Sequence, residues 1–237
     1  MLSFFGMLLA LIMTALLAMP HLMREPIEVA AVPEIIKESP VSSEAVAEHP
    51  EKMEKDELLL LVNADNALPQ DMKIVTRSYD GVEINAVIYV DMCALMDAAY
   101  HDDVTLWLAS GYRSVEKQRE ILEKAISNRM SLGMTEEEAR EDALMTIQSP
   151  GHSEHHTGMA IDFNDVKFDF ENTETYAWLR ANAAAYGFVE RYPREKEAVT
   201  GIAYEPWHFR YVGRDHARKM YELNMCLEEY VKYLYGE

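Results

Sequence analysis

The distribution of apolar and polar residues divides the chain into three segments of different character. Residues 2–19 are an unbroken apolar run without a charged side chain. As a helix this run is about 27 Å long, close to the roughly 30 Å hydrocarbon core of a bilayer. We therefore predict that residues 1–24 form a transmembrane segment. No basic stretch precedes the run and no clear small-residue cleavage motif follows it, which favours an uncleaved signal anchor over a cleaved signal peptide.

Residues 25–57 have a composition typical of a disordered linker. They contain ten acidic and three basic residues, a net charge of −7, together with four prolines and no aromatic residue. Such a segment buries too little apolar surface to offset the entropy that is lost on ordering. We predict an extended linker that joins the transmembrane segment to a folded domain at residues 58–237.

In residues 58–237, the spacing of apolar positions predicts a mixture of helices and strands. The period of amphipathic helices is found at residues 83–100, 114–130, 135–147, 174–186 and 215–235. Short β-rich runs predict strands at residues 104–108, 159–163 and 207–212, and residues 58–62 are either a strand or a segment that leads into the domain. Because the two types do not alternate strictly, the pattern indicates an α+β fold.

Composition then narrows the classes of partner and cofactor. The chain has 22 basic and 41 acidic residues and a net charge of −19, so nucleic acid is not expected as a partner. Two cysteines are too few for a disulfide scaffold or for a zinc site built mainly from thiolates. Cys93 and Cys226 are expected to be buried free thiols, although a disulfide between them stays open.

Histidine has the most informative distribution of any residue type. Three of the eight histidines lie within residues 151–158, and Asp162 follows seven residues after His155. Imidazoles and a carboxylate that converge from different backbone segments can bind zinc and leave a fourth position for water. Gly158 allows a turn, so that a loop can carry His155 and the next strand Asp162. The alternative interpretation is a polar loop with surface histidines, since no HExxH helix is present.

Glu205 and His208 form a second pair of interest. A glutamate three residues from a ligand histidine can lie beside a metal-bound water without binding the metal, which is the place of a general base. Pro206 does not suit a helix interior, so the pair belongs to a turn that leads into a strand. Taken alone, the pair is better explained by an edge strand with one buried histidine.

A third group lies in residues 110–118, with the sequence SGYRSVEKQ. Arg113 stands between a predicted strand and a helix, where its guanidinium can reach into a cleft and stabilise a developing oxyanion. Gln118 lies four residues before Leu122, on the inward face of that helix. An ordinary surface arginine beside an N-cap serine is the alternative for Arg113.

Taken together and in this order, the three groups resemble the D-alanyl-D-alanine carboxypeptidase family of zinc peptidases, the VanY-like members of the M15 group. The resemblance is carried by S-G-Y-R-S-x-x-x-Q, by S-E-H-H-T-G-M-A-I-D and by E-P-W-H-F-R-Y-V-G. It extends over residues 60–213, about two thirds of the chain. Members of this family share a small α+β fold with an antiparallel sheet under the zinc site.

The resemblance implies a role for each matching position. The positions are the zinc ligands His155, Asp162 and His208, the base Glu205, the carbonyl-stabilising Arg113, and the substrate-binding Ser153 and Gln118. His156 departs from the family pattern, in which many relatives have Gln at this position. His156 is therefore a candidate contact to a ligand or to the substrate, and His152 is expected to take no part.

The activity that the resemblance implies is Zn²⁺-dependent removal of the terminal D-alanine from peptidoglycan stem peptides. An L,D-carboxypeptidase or a peptidoglycan endopeptidase of the same family stays an alternative, because the same ligands and base serve all three. A non-catalytic wall-binding module is disfavoured, since the ligands and the base are all present. The expected location is the bacterial cell membrane, with one span and the catalytic domain outside the cytoplasm, or alternatively secretion after signal cleavage.

Overall fold

The main sheet of the domain is small and antiparallel. The computed structural model describes residues 56–236. A hairpin of β1 (Thr76–Tyr79) and β2 (Val82–Asn85) precedes the main sheet, whose strands have the spatial order β3-β4-β6-β5. The strands of the main sheet are β3 (Leu108–Ser110), β4 (Ala160–Phe163), β5 (Phe188–Glu190) and β6 (His208–Tyr211). The predicted α+β class with a small antiparallel sheet is confirmed.

Seven α-helices connect and flank the strands of residues 56–236. They are α1 (Tyr89–His101), α2 (Val115–Ser131), α3 (Glu136–Leu144), α4 (Glu174–Asn182), α5 (Glu197–Thr200), α6 (Arg214–Leu223) and α7 (Leu227–Tyr235). Helix α2 begins after Ser114, whose hydroxyl accepts a hydrogen bond from the backbone N–H of Lys117 at 3.1 Å. Helix α3 begins at the predicted capping box of Thr135 and Glu138. These caps explain why both helices begin close to the predicted residues.

Strand register places three polar residues in one row across the sheet. Asp162 on β4 pairs with His208 on β6, and on its other side with Ser110 on β3. Directly paired residues of antiparallel strands have their side chains on the same face, with Cβ atoms about 4.5–5.5 Å apart. The sheet therefore makes Asp162 and His208 neighbours although 46 positions separate them in the sequence.

The main hydrophobic core lies against the opposite face of the sheet. Ile161 and Phe163 flank Asp162 along β4, and Phe209 follows His208 on β6; all three apolar side chains are at most 1% exposed. The ring of Phe163 packs edge-to-face against those of Phe188 and Phe209. Because successive strand residues point to opposite faces, this apolar layer fixes the strands that present the polar row.

The helix predicted at residues 83–100 is wrong over its first part. Residues 82–85 are strand β2, and the α-helix begins only at Tyr89. The turn between β1 and β2 is Asp80-Gly81, and both residues have positive φ, 47° and 81°. An Asp-Gly pair in this conformation is the characteristic turn of a two-residue hairpin, and it outweighs the helical period of the residues that follow.

The strand predicted at residues 104–108 also lies elsewhere, at Leu108–Ser110. The side-chain amide of Asn164 makes hydrogen bonds to the backbone of Thr105 and Trp107, where a neighbouring strand would otherwise pair. Its Oδ1 accepts the backbone N–H of Trp107 at 3.0 Å, and its Nδ2 donates to the carbonyl of Thr105 at 2.9 Å. Strand pairing therefore starts only after this side-chain contact.

Two further predictions at the ends of the domain need correction. The single helix predicted at residues 215–235 is divided into α6 and α7, because Asn224 adopts a left-handed conformation with φ of 50°. The segment at residues 58–62 is not a strand; it starts with a short 3₁₀ helix, Glu57–Leu59, and continues without regular structure. It is the leading segment that the sequence allowed as the other possibility. Strand β5 was not predicted.

Both cysteines are free thiols, as predicted. Cys93 lies half-buried in α1 and Cys226 is buried at the N-cap of α7. Burial raises the pKa of the Cys226 thiol to about 11, so it stays protonated at neutral pH.

The predictions for residues 1–24, and for all of the linker except Asp56 and Glu57, concern a part of the chain outside the described residues. Within residues 56–236, no helix has the length and apolarity that crossing a membrane requires. Asp56 belongs to the ordered domain, because its backbone N–H donates to the hydroxyl of Tyr235 at 3.0 Å and its carboxylate lies 3.2 Å from Nε2 of His216.

Candidate metal centre

Three of the predicted site residues, His155, Asp162 and His208, converge at the polar row of the sheet. All three are buried. Nε2 of His155 lies 3.3 Å from Oδ2 of Asp162, and Nδ1 of His208 lies 3.1 Å from Oδ1 of the same carboxylate. One ligand atom from each residue lies within 4.8 Å of the others. In the described part of the chain, no other group of His, Cys, Asp and Glu side chains is arranged in this way.

The chemistry and spacing of these donors fit zinc. Two imidazoles and one carboxylate are a donor set of hydrolytic zinc sites, which keep one position open. Ligand atoms at about 2.0–2.1 Å from a tetrahedral zinc ion are about 3.4 Å from one another. The separations of 3.3 Å from His155 to Oδ2 of Asp162 and of 3.1 Å from His208 to its Oδ1 are near this value, and with one atom from each residue the three donors lie within 4.8 Å of one another.

A tight turn delivers His155 to the cluster. His155 lies in a 3₁₀ helix, Glu154–Thr157, which ends at Gly158 with φ of 67°. A Cβ atom at Gly158 would lie 2.9 Å from the backbone nitrogen of Asn85, so both the conformation and the space require glycine. Nδ1 of His155 lies 2.7 Å from the carbonyl oxygen of Gly111, and this contact leaves Nε2 for a metal ion.

Glu205 lies beside the cluster without belonging to it. Its Oε2 is 3.7 Å from Nδ1 of His208, and the residue is only 6% exposed. The turn at residues 206–207 separates it from strand β6, as Pro206 predicts. Burial raises the pKa of the Glu205 carboxyl to about 8. A carboxylate with a raised pKa next to a metal centre is suited to accept a proton from water near neutral pH.

Arg113 reaches the cluster from the other side. Its Nη2 donates to Oδ2 of Asp162 at 2.6 Å, and its Nε donates to the hydroxyl of Ser110 at 3.0 Å. The backbone N–H of Arg113 donates to the carbonyl of His155 at 3.0 Å. These contacts hold the guanidinium at the metal centre, where a charged donor can stabilise an oxyanion.

All seven predicted site residues line one cavity of about 320 Å³. They are Arg113, Gln118, Ser153, His155, Asp162, Glu205 and His208. Gln118 is 1% exposed, and its Nε2 donates to the carbonyl of Gln148 at 2.7 Å. Among the residues that the structure describes, its Oε1 has no hydrogen-bond partner. Buried polar atoms are rarely left unpaired in folded proteins, so this oxygen is an available acceptor for a ligand.

The two remaining histidines of residues 151–158 do not belong to the metal cluster. Nε2 of His156 accepts the backbone N–H of Gly151 at 3.0 Å, so Nδ1 carries the proton and donates to the carbonyl of Arg113 at 2.8 Å. His156 therefore connects the backbone of Arg113 to the backbone of Gly151. Nδ1 of His152 lies 2.8 Å from the carbonyl oxygen of Asn63, away from the cluster, as predicted.

The sequence did not reveal several buried residues around the site. Tyr192 lines the cavity, and its ring centroid lies 4.9 Å from that of His208. Burial raises its pKa well above the usual range, so the phenol stays neutral. The side chains of Glu154, Arg191 and Arg210 have no exposed surface and form one ion-pair network. The polar stretch at residues 190–201 therefore includes the buried side chains of Arg191 and Tyr192.

The carboxylates around His208 predict how zinc binding depends on pH. Burial favours the neutral form of both imidazoles. For His155 this effect dominates and lowers the pKa to about 4. For His208, the contacts with Asp162 and Glu154 outweigh burial and raise the pKa to about 9. Below pH 9, zinc must therefore displace a proton from His208, whereas His155 is already neutral.

We expect the apparent zinc affinity to rise at least about tenfold for each pH unit between pH 6 and pH 8, and to level off near pH 9. Competition with a chelator of known affinity at each pH measures this dependence. An affinity that stays constant from pH 6 to pH 9 would contradict the proton displacement at His208.

Comparisons with known proteins point to one family. Residues 81–214 match the family model of VanY, D-alanyl-D-alanine carboxypeptidase. A D-alanyl-D-alanine carboxypeptidase of Enterococcus faecalis is 36% identical over 216 residues, which cover 86% of this chain and 81% of that protein. The structure of VanYB in complex with D-alanine-D-alanine is 38% identical, with a TM-score of 0.70, and the match covers 75% of this chain and 98% of that one.

A second solved structure bears on the metal. It is a mutant of the vancomycin-resistance D,D-pentapeptidase VanY in complex with Zn(II), 38% identical, with a TM-score of 0.68, and the match covers 73% of this chain and 98% of that one. The family model matches more than half of the chain. Together with the donor set, these findings confirm the predicted zinc cofactor and peptidase class. The chain therefore belongs to the VanY family of zinc-dependent D-alanyl-D-alanine carboxypeptidases.

Proposed function

We propose that the cavity binds the D-Ala-D-Ala end of a peptidoglycan stem peptide and that Glu205 and Arg113 carry out its hydrolysis. The proposal depends on one observation: a zinc donor set, a buried glutamate and a half-buried arginine converge in one cavity. A volume of about 320 Å³ is at the lower end for small-molecule sites and suits the end of a short peptide.

His155, Asp162 and His208 hold the zinc ion in this proposal. An ion held there would lower the pKa of a bound water from 15.7 to about 7 and would polarise the scissile carbonyl. Glu205 accepts the proton of the attacking water, since its carboxylate lies at the cluster and its raised pKa is close to neutral. The Arg113 guanidinium stabilises the negative charge that develops on the carbonyl oxygen.

Glu205 then completes the proton transfer. The C–N bond of the terminal peptide breaks, and Glu205 returns its proton to the amine of the leaving D-alanine. The water oxygen stays on the shortened stem peptide as part of its new carboxylate. Ser153 and Gln118 line the same cavity, and we assign to them the binding of the terminal residue. The unpaired Oε1 of Gln118 can accept an N–H of the peptide.

The proposed location of the catalytic domain is outside the cytoplasm, attached to the membrane by residues 1–24. The uncharged run at residues 2–19 supports a membrane span, and the acidic, proline-containing linker supports a spacer between membrane and domain. A domain that acts on peptidoglycan needs this side of the membrane. Secretion after cleavage of the N-terminal segment is the other arrangement that the same sequence permits.

Stem peptides of defined length test the proposed activity. The full chain, with zinc, is incubated with a pentapeptide that ends in D-Ala-D-Ala and with the tetrapeptide that lacks the last residue. We expect release of D-alanine from the pentapeptide only, complete loss of release with a chelator, and recovery on addition of zinc. Release from the tetrapeptide would indicate L,D-carboxypeptidase activity, and cleavage inside the stem an endopeptidase. Release from neither peptide would contradict catalysis on stem peptides.

A further inference from the structure

A buried carboxylate lies behind one of the zinc ligands. The side chain of Glu154 has no exposed surface, and its Oε2 is 3.7 Å from Nε2 of His208. Within residues 56–236, neither of these two buried atoms has a hydrogen-bond partner. Because buried polar atoms are nearly always paired, each is the natural partner of the other. A shift of the imidazole by about 0.7 Å brings them to an ordinary hydrogen-bond distance.

The orientation of the His208 ring decides which nitrogen faces the metal. Nδ1 lies 3.1 Å from Asp162 and 3.7 Å from Glu205, on the side of the cavity. Nε2, the other ring nitrogen, lies 3.7 Å from Oε2 of Glu154. For Nδ1 to donate its lone pair to zinc, the neutral ring must carry its proton on Nε2. An acceptor at Nε2 stabilises that tautomer.

Glu154 cannot turn away from His208, because two arginines hold it. Its Oε1 accepts from Nε of Arg191 at 2.8 Å and lies 3.0 Å from Nη1 of Arg210. Arg191 also makes a bidentate contact with Glu228 of α7, whereas Arg210 reaches the same oxygen of Glu154 without a contact to Glu228. With Oε1 occupied, Oε2 is left to face His208.

His155 has a different partner, which makes the contact of Glu154 specific to one ligand. The nitrogen of His155 that faces away from the cluster contacts a neutral backbone carbonyl, that of Gly111. Only His208 has a carboxylate in this place. The two ligand histidines are therefore oriented by groups of different charge.

We propose that Glu154 is a positioning residue that holds His208 with Nε2 protonated and Nδ1 directed at zinc. The carboxylate fixes the ring orientation and places a negative charge behind the ligand, and Arg191 and Arg210 keep it in place. Residues that orient a ligand histidine in this way typically contribute 10- to 100-fold to metal affinity. The inference rests on the zinc centre of the proposed function.

The test compares two glutamate-to-glutamine substitutions at opposite ends of the network, in the full-length chain. Glu154→Gln keeps the size of the side chain and removes the charge next to His208. Glu228→Gln removes a charge from the same network, but Glu228 contacts Arg191 and not His208. We expect chelator competition to show a zinc affinity about 10- to 100-fold lower for Glu154→Gln and unchanged within about twofold for Glu228→Gln.

A spectrum separates this role from a general loss of stability. With Co²⁺ in place of zinc, we expect altered visible absorption bands for Glu154→Gln and wild-type bands for Glu228→Gln. If Glu154→Gln does not fold, Glu154→Asp keeps the charge that balances the arginines and withdraws it from His208 by about 1.5 Å. We expect that variant to lose zinc affinity in the same direction.

Wild-type zinc affinity in the folded Glu154 variants would overturn the inference, as would an equal loss in Glu154→Gln and Glu228→Gln. Either result would leave the zinc centre itself intact. Failure of the wild-type chain to bind zinc would instead contradict the centre on which the proposed function depends.

Discussion

We expect the Glu205→Gln variant to lose between about 10²- and 10⁴-fold in kcat on a stem pentapeptide while it retains its zinc. Glutamine has the size and polarity of glutamate but cannot accept a proton from water. Glu205 does not belong to the group of three converging ligand atoms, and its Oε2 is 3.7 Å from Nδ1 of His208. Steady-state kinetics and elemental analysis of the same sample measure both parts of the expectation.

Glu120→Gln is the matched control for this substitution. Glu120 is an exposed glutamate on α2, the helix that carries Gln118, and within residues 56–236 its one ion pair is with the exposed Lys117 at 3.0 Å. Exposed pairs of this kind contribute little, so kcat and zinc content should stay unchanged. A fully active Glu205→Gln variant would remove Glu205 from the mechanism, and simultaneous loss of activity and zinc would identify it as a ligand instead.

The second large effect is expected for His208→Ala, which should lower zinc affinity by roughly 100- to 1000-fold. Structural zinc sites with four ligands have binding free energies of about 10–16 kcal/mol, so one ligand contributes about 3–4 kcal/mol. Each 1.4 kcal/mol corresponds to a factor of about ten in affinity. The variant also leaves Oε2 of Glu154 facing a buried void, which adds to the loss. Chelator competition at pH 8 measures the change.

His156→Gln is the control for the choice of ligand histidines. His156 directly follows His155 in the sequence, but it contacts Gly151 and Arg113 rather than the cluster. A glutamine can accept from the first and donate to the second, so zinc affinity should be preserved. If His156→Gln lost zinc and His208→Ala kept it, the assignment of ligands to these positions would be wrong.

The candidate site could be predicted because its residues lie in short stretches with a local physical reason for each position. His155 and Asp162 flank Gly158, and only glycine fits the left-handed turn that lets a 3₁₀ helix and a strand meet at one point. Pro206 likewise separates Glu205 from the strand that carries His208. The register that joins the two stretches is not local, and it became visible only through the pairing of β4 with β6.

The fold was less predictable where two local signals competed. Residues 83–85 continue the helical period of α1, yet they belong to β2, because Asp80-Gly81 folds the preceding strand back on them. The side chain of Asn85 then accepts the backbone N–H of Val87 at 3.0 Å and ends the strand. The Asp-Gly pair was the signal that could have located this hairpin.

The buried ion pairs could not be predicted from sequence at all. Arg191 and Glu154 are 37 positions apart, and charged residues in a polar stretch are exposed in most proteins. Only in three dimensions does Arg210 of β6 come between Glu154 and the leading segment of the domain. The cost of removing these charges from water is offset by their contacts with one another, and no single stretch of sequence carries that information.

Arg210 also determines how the domain would respond to mechanical force. Its Nη2 donates to the carbonyls of Leu58 and Leu60 at 3.0 Å each, so the leading segment is fastened to β6 two residues from His208. We expect a pulling force applied at residue 56 to act first on these hydrogen bonds and on the hydrogen bond between Asp56 and Tyr235. Strand β6, which carries the candidate zinc ligand His208, would therefore also receive this force.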